Sequence, residues 1–205
     1  MEMTSSRYEW LDGFSLFVFD LDDTLYNEKD YLYSGYWNIA HYLAERFENT
    51  KAQEYYTFLR EEFEHNGRNN LFDRLLLHFD LHVPIEILLD ILHNQQANIQ
   101  LDKDAAELLN LLLMKKKKVY ILTNGNICQQ KNKVKLLDIA HIYPEIKVIY
   151  ASQIMPKPLP LSLHLILELE RIEGKDAIMI GDSQVDEETA RNAKMNFSYI
   201  QNVLK

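Results

Sequence analysis

The densest cluster of chemically useful side chains in this 205-residue sequence is Asp20-Leu21-Asp22-Asp23-Thr24, directly after the apolar run Phe17-Val18-Phe19. Two carboxylates two residues apart at a strand exit can aim at one site if the strand ends between them. One can then act as nucleophile while the other moves the proton. Acidic residues also cap strands and open turns, but three Asp in four positions is more than a turn requires.

Three further loops carry polar residues suited to the same chemistry. Thr123-Asn124-Gly125-Asn126 follows VYIL and offers a hydroxyl and backbone N–H groups near a helix start, a natural anion site. Taken alone, Asn-Gly is equally a common turn. Lys157 lies in Met155-Pro156-Lys157-Pro158, where prolines stiffen the backbone around one ammonium group. A lone lysine is ordinarily a solvated surface residue. Gly181-Asp182-Ser183-Gln184-Val185-Asp186 follows AIMI. A carboxylate there suits a hard cation such as Mg²⁺, which takes one or two carboxylates plus phosphate and water. The alternative is a turn in which Asp182 caps the next helix.

The elements that must position these loops can be read from the pattern. Phe14 to Leu21 is a short buried strand. From Lys29 to Ile99 apolar residues recur at helical spacing, as in Leu32, Tyr36, Ile39, Leu43 and Phe47. Similar spacing over 55–63, 71–79 and 85–92 predicts four helices in a separate small bundle. Beyond Asp102, helices at 104–114, 127–137, 161–171 and 185–194 alternate with strands at 118–123, 146–150, 177–180 and 197–200. This alternation predicts a Rossmann-like parallel sheet with helices on both faces. The expected organisation is an α/β core of residues 1–26 and 100–205, interrupted by a helical domain at 27–99. In such sheets ligands bind at the carboxyl ends of the strands, where all four loops fall.

Composition narrows the function. A formal net charge of −9 argues against gripping a nucleic-acid backbone. The basic run Lys115 to Lys118 reads as a solvated helix end, where the helix dipole favours cations. Cys128 is the sole cysteine, so no internal disulfide is expected, and it reads as a filler on a helix. The polar start Met1 to Trp10 shows no signal peptide, and no apolar stretch approaches the roughly 20 residues that cross a bilayer. The expected setting is cytoplasmic, without membrane or nucleic-acid partners; oligomeric state is not readable.

The order and surroundings of the four loops resemble the haloacid dehalogenase-like hydrolase superfamily, over about Leu16 to Tyr199. The carrying motifs are Asp20-x-Asp22-x-Thr24, the apolar strand ending in Thr123, Lys157-Pro158, and Gly181-Asp182-Ser183-x-x-Asp186. The resemblance implies that Asp20 attacks phosphorus and that Asp22 serves the leaving oxygen and then the attacking water. It implies Mg²⁺ held by the Asp20 carboxylate, the Asp22 backbone carbonyl and Asp182. Thr123, Asn124 and Lys157 would bind the phosphoryl group, and Asp186 would steer Lys157 or a metal-bound water. Residues 27–99 occupy the place of the family's helical cap. Tyr31, Tyr33, Tyr36, Trp37, Tyr55 and Tyr56 there read mainly as bundle core, while Arg68-Asn69 could reach a polar substrate. His41, His65, His78 and His82 read as structural.

The implied activity is hydrolysis of a small phosphorylated metabolite, such as a nucleotide or sugar phosphate. A phosphomutase retains the same two Asp residues, and a catalytically silent binding module could retain the fold. A dehalogenase needs neither an acid at Asp22 nor a metal. One departure from the family's pattern stands out. Ala193-Lys194-Met195 replaces a common Ala-Gly-Met, and lysine in a left-handed backbone there would cost about 1 kcal/mol relative to glycine.

Overall fold

The computed structural model describes residues 6–47 and 50–204. Met1–Ser5, the start of the polar N-terminal stretch, lie outside the described residues. The chain forms two compact units, Met1–Asn27 with Gln100–Lys205, and Glu28–Ile99.

In chain order, a 3-10 helical segment Ser6–Gly13 precedes β1 (Leu16–Phe19). The Glu28–Ile99 unit holds α1 (Glu28–Arg46), α2 (Ala52–Asn66), α3 (Leu71–His78) and α4 (Ile85–Asn94). The first unit resumes with α5 (Lys103–Met114), β2 (Lys118–Thr123), α6 (Ile127–Leu136), α7 (Ile139–Ile142) and β3 (Lys147–Tyr150). It ends with α8 (Leu161–Glu170), β4 (Ala177–Gly181), α9 (Gln184–Asn192), β5 (Asn196–Tyr199) and α10 (Ile200–Val203). The sequence pattern missed the N-terminal 3-10 segment, α7 and α10. The last two are four residues each, too short to show a period.

All five strands are parallel, in the order β3-β2-β1-β4-β5. The central strands are apolar throughout because both faces are covered. Leu16 to Phe19 are fully buried, and Ala177 to Ile180 nearly so. Alternate residues Leu16, Val18, Tyr120, Leu122, Ala177 and Met179 pack with Leu163 and Ile166 of α8 and Ala190 of α9. By the two-residue period, Phe17, Phe19, Val119, Ile121, Ile178 and Ile180 face the other layer. α5 packs against β2 through a stripe that includes Leu108, Leu109 and Leu112. Burying each such large side chain contributes roughly 1.5–3 kcal/mol.

Helices α5 and α6 begin at side-chain caps. Asp102 accepts from the Asp104 and Ala105 amides at 2.9 and 3.2 Å. Asn126 accepts from the Cys128 and Gln129 amides at 2.9 and 3.2 Å. Each cap is worth about 1 kcal/mol. Cys128 is exposed on the first turn of α6. The lysine run is more than a solvated helix end. Lys115 pairs with Asp12 at 2.6 Å, Lys117 donates to the Phe14 carbonyl at 2.6 Å, and Lys118 lies 3.4 Å from Glu170. These cations tie the end of α5 to the N-terminal segment and to α8.

Within the four-helix unit, Tyr31, Tyr36 and Tyr55 are core, whereas Trp37 is exposed and packs edge-on against His41 and Tyr56. The Tyr31 hydroxyl donates to the Leu92 carbonyl at 2.8 Å, and the Gln95 amide donates to the Tyr31 carbonyl at 2.8 Å. Gly35 is required for this closure, because a Cβ there would lie 2.4 Å from Leu92. Arg68 forms a two-point pair with the buried Glu28 carboxylate. Its guanidinium is thereby tied into the bundle. His78 packs between Phe58 and Phe79. Among the described residues no helix is long and apolar enough to cross a membrane.

Candidate active site

The strand order reverses its direction of growth between β1 and β4, because the crossover from β3 carries the chain back past β1 and places β4 on its other side. Crevices form outside the carboxyl ends of strands at such a switch point. Asp20 is the first residue past β1, and its amide still donates to the Ile180 carbonyl at 2.9 Å. Asp182 is the first residue past β4. The two acids therefore project from adjacent strand ends.

Asp186 joins them. Carboxylate oxygens of Asp20, Asp182 and Asp186 all lie within 4.8 Å of one another. Two local features bring Asp186 back from α9 to the strand end. Gly181 has no side chain, and a Cβ there would lie 2.6 Å from the Asp186 carboxylate. Ser183 then caps α9 in a reciprocal box, donating through its amide (3.2 Å) and hydroxyl (2.5 Å) to Asp186 Oδ2. Because Ser183 is the cap, Asp182 is not, which removes the alternative reading of that residue.

Lys157 reaches into the cluster. Its Nζ donates to Asp20 Oδ1 and Asp186 Oδ1, each at 2.5 Å, and its side chain is 5% exposed. It precedes a cis peptide bond to Pro158. Burial works against the Lys157 charge, but Asp20 and Asp186 outweigh it and hold the group above its usual value. Burial pushes the Asp20 carboxyl up to about 7, with Asp186 and Asp22 adding to the rise and Lys157 opposing it. Burial also lifts Asp182 to about 6, reinforced by Asp186 and Asp23.

Three carboxylates against one ammonium leave two uncompensated negative charges when all are ionised. Oxygen donors at this spacing, with that charge, fit one hard divalent cation such as Mg²⁺. The sequence reading placed Asp186 behind the metal ligands. The structure groups its carboxylate with Asp20 and Asp182, through the approach that Gly181 allows.

Asp22 lies outside that acidic group. Its carboxylate accepts from the Tyr26 hydroxyl (2.6 Å), the Gln130 amide (2.7 Å) and the Lys133 ammonium (2.8 Å). Thr123 is buried at the end of β2 and accepts from Gln130 Nε2 at 2.6 Å. The Asn124 side chain bridges two of the loops. Its amide donates to the Lys157 carbonyl at 3.0 Å, and its oxygen accepts from the Lys157 amide at 2.9 Å. Both ends of that side chain fasten the Lys157 loop to the Thr123 loop.

Gln130, Lys133 and Tyr26 were missed by sequence reasoning. A signal existed for two of them. The buried stripe of α6 and its C-terminal cap runs Gln130, Lys133, Val134, Leu137, at helical spacing. Two of its four positions carry polar groups where leucine would serve a core.

A parallel sheet with an acid cluster and the buried Lys157 ammonium at its switch point defines an α/β protein with a charged centre at the carboxyl ends of its strands. The family model for haloacid dehalogenase-like hydrolases matches residues 14–194, and the chain belongs to that family. Solved structures share its fold at low identity. A Thermotoga maritima protein designated a β-phosphoglucomutase is 15% identical, with TM-score 0.70, over 93% of this chain and 96% of that one. The HAD-hydrolase YfnB of Bacillus subtilis, solved with magnesium, is 18% identical, with TM-score 0.65, over 91% and 86%. CbbY of Rhodobacter sphaeroides, solved with phosphate, is 16% identical, with TM-score 0.60, over 91% and 85%. No curated protein matches the sequence.

Proposed function

We propose that the chain is a Mg²⁺-dependent phosphatase acting on a small phosphorylated metabolite, such as a nucleotide or sugar phosphate, in the cytoplasm. The observation that carries this reading is the Asp20–Asp182–Asp186 group with Lys157 lodged in it. Asp20 attacks phosphorus, the bond to the leaving oxygen breaks, and an aspartyl-phosphate forms. Asp22 gives a proton to the leaving oxygen. It then takes one from the water that attacks the aspartyl-phosphate, which frees Asp20 and inorganic phosphate. Lys157 supplies positive charge beside the nucleophile, and Thr123 offers its hydroxyl to a phosphoryl oxygen.

Asp20, Asp182, Asp186 and the Asp22 backbone carbonyl are the groups that would hold Mg²⁺. Bound there, the ion keeps Asp20 ionised and offsets repulsion between carboxylate and phosphate. The Glu28–Ile99 unit is proposed as the cap that selects the leaving group. A mutase shares Asp20 and Asp22, and the names of the fold relatives cover both reactions.

The test is turnover of p-nitrophenyl phosphate with Mg²⁺ or EDTA. Activity should vanish with EDTA and fall by more than about a thousandfold in Asp20→Asn. Persistent turnover in that variant removes Asp20 as nucleophile. Isomerisation of a sugar phosphate without release of inorganic phosphate would assign the mutase instead. Inactivity against a broad panel of phosphate esters would mark a silent module.

A further inference from the structure

Gln130 and Lys133 stand in none of the four loops, yet their polar ends meet at Asp22. Lys133 is 1% exposed and Gln130 3%. An ammonium that deep is retained only with a partner, and a well-packed apolar residue there is often as stable or more so. Packing therefore does not explain the choice of lysine. Gln130 Nε2 lies 2.7 Å from Asp22 Oδ2, 2.6 Å from Thr123 Oγ1 and 2.6 Å from the Asn124 carbonyl. Its aliphatic stem and amide lie over Gly125, where an added Cβ would make contact at 3.5 Å. One amide thus joins the first loop to the second. Asp22 itself sits on a turn whose next residue, Asp23, has a left-handed backbone (φ 52°). The turn alone leaves the Asp22 side-chain rotamer open, whereas donors from α6 and Tyr26 fix it.

We propose that Gln130 and Lys133 are positioning residues that clamp the proton-transfer carboxylate Asp22 to the phosphoryl-binding hydroxyl Thr123. Leaving-group protonation and phosphoryl binding then share one rigid support on α6. This rests on the phosphatase reading above. Its consequence is specific, because in the step that forms the aspartyl-phosphate a displaced Asp22 harms only those esters whose leaving oxygen needs a proton.

The test compares phenyl phosphate with p-nitrophenyl phosphate, two esters of similar shape whose leaving groups differ in their need for protonation. The full-length protein is assayed with Mg²⁺, and kcat/KM is read because it reports the step that forms the aspartyl-phosphate. Lys133→Met keeps the side-chain length and removes the charge. Gln130→Asn keeps the amide but withdraws it by one methylene, and serves if Lys133→Met does not fold. Lys133→Met, which removes a donor to Asp22 and leaves the Gln130 bond to Thr123 in place, should lower kcat/KM at least about tenfold on phenyl phosphate and less than about threefold on p-nitrophenyl phosphate. Gln130→Asn, which also loosens Thr123, should lower both, with phenyl phosphate falling at least about threefold further. Asp22→Asn should show the same selectivity more strongly, and the Mg²⁺-induced rise in Tm should be retained.

Equal losses on both esters, or no loss on either, would overturn the clamp while Asp22→Asn remains selective. Turnover surviving in Asp20→Asn, or an Asp22→Asn variant without selectivity, would instead bring down the phosphatase reading and the clamp with it.

Discussion

Asp20 and Asp182 make the site sensitive to protons and to metal in opposite directions. Their carboxyls are raised from 3.8 to about 7 and about 6. A raised carboxyl favours the metal-free fold below its ordinary value, and that stability is lost as pH climbs through the raised value. A divalent ion occupying the same oxygens recovers the loss and competes with the protons. The Mg²⁺-induced rise in Tm should therefore be larger at about pH 8 than at about pH 5.5, by a few degrees. In Asp182→Asn the rise should shrink at both. A rise independent of pH would place the ion elsewhere.

The elements differ in how plainly the sequence announces them. β1, β2 and β4 are continuous apolar runs because they lie inside a parallel sheet, and the loops they end in could be read in order. Their register with one another comes from the fold. Asp186 shows what stayed hidden. Its closeness to Asp20 depends on Gly181 and on a cap at Ser183, a matter of ångströms that spacing does not encode. Gln130 and Lys133 were hidden for another reason. Their partner, Asp22, lies more than a hundred residues away, and polar residues on a helix read as solvated. At Lys194 the sequence shows the departure from glycine, and the structure supplies the backbone conformation on which its cost depends. The residue is left-handed, with φ 55°, past the end of α9. Lys194→Gly should stabilise the protein by about 1 kcal/mol, or roughly 2–4 °C in Tm for a chain this size. A lower Tm would show that the lysine side chain contributes more than its backbone strain costs.

At the scale of the molecule, the end of the sheet opposite the site carries stability. Glu170 on α8 accepts from Lys147 at 2.7 Å and from the Tyr120 hydroxyl, with Lys118 at 3.4 Å. The Lys147 hydrogen bond is the first cause that holds the Glu170 carboxyl down, at about 2 against an ordinary 4.5. A depressed carboxyl contributes stability above the ordinary value and loses it as pH falls through the depressed one. Glu170→Gln should lower Tm at about pH 7, and the gap from wild type should close as pH falls toward about 2. A gap constant across that range would mean the cluster contributes through packing alone.

The hydrogen bond from the Asp102 amide to the Leu25 carbonyl, 2.8 Å long, bears on how the polypeptide assembles. Pairing β1 with β2 must close a loop that contains the whole helical unit, and the entropy of closure grows with loop length. Helices form from neighbours in sequence and organise quickly. Tyr31, Leu92 and Gln95 draw the first helix of that unit and its last stretch together. A helical unit that condenses first shortens the tether between β1 and β2. The insertion then acts as an internal splint, and the parallel sheet forms almost as if those residues were absent.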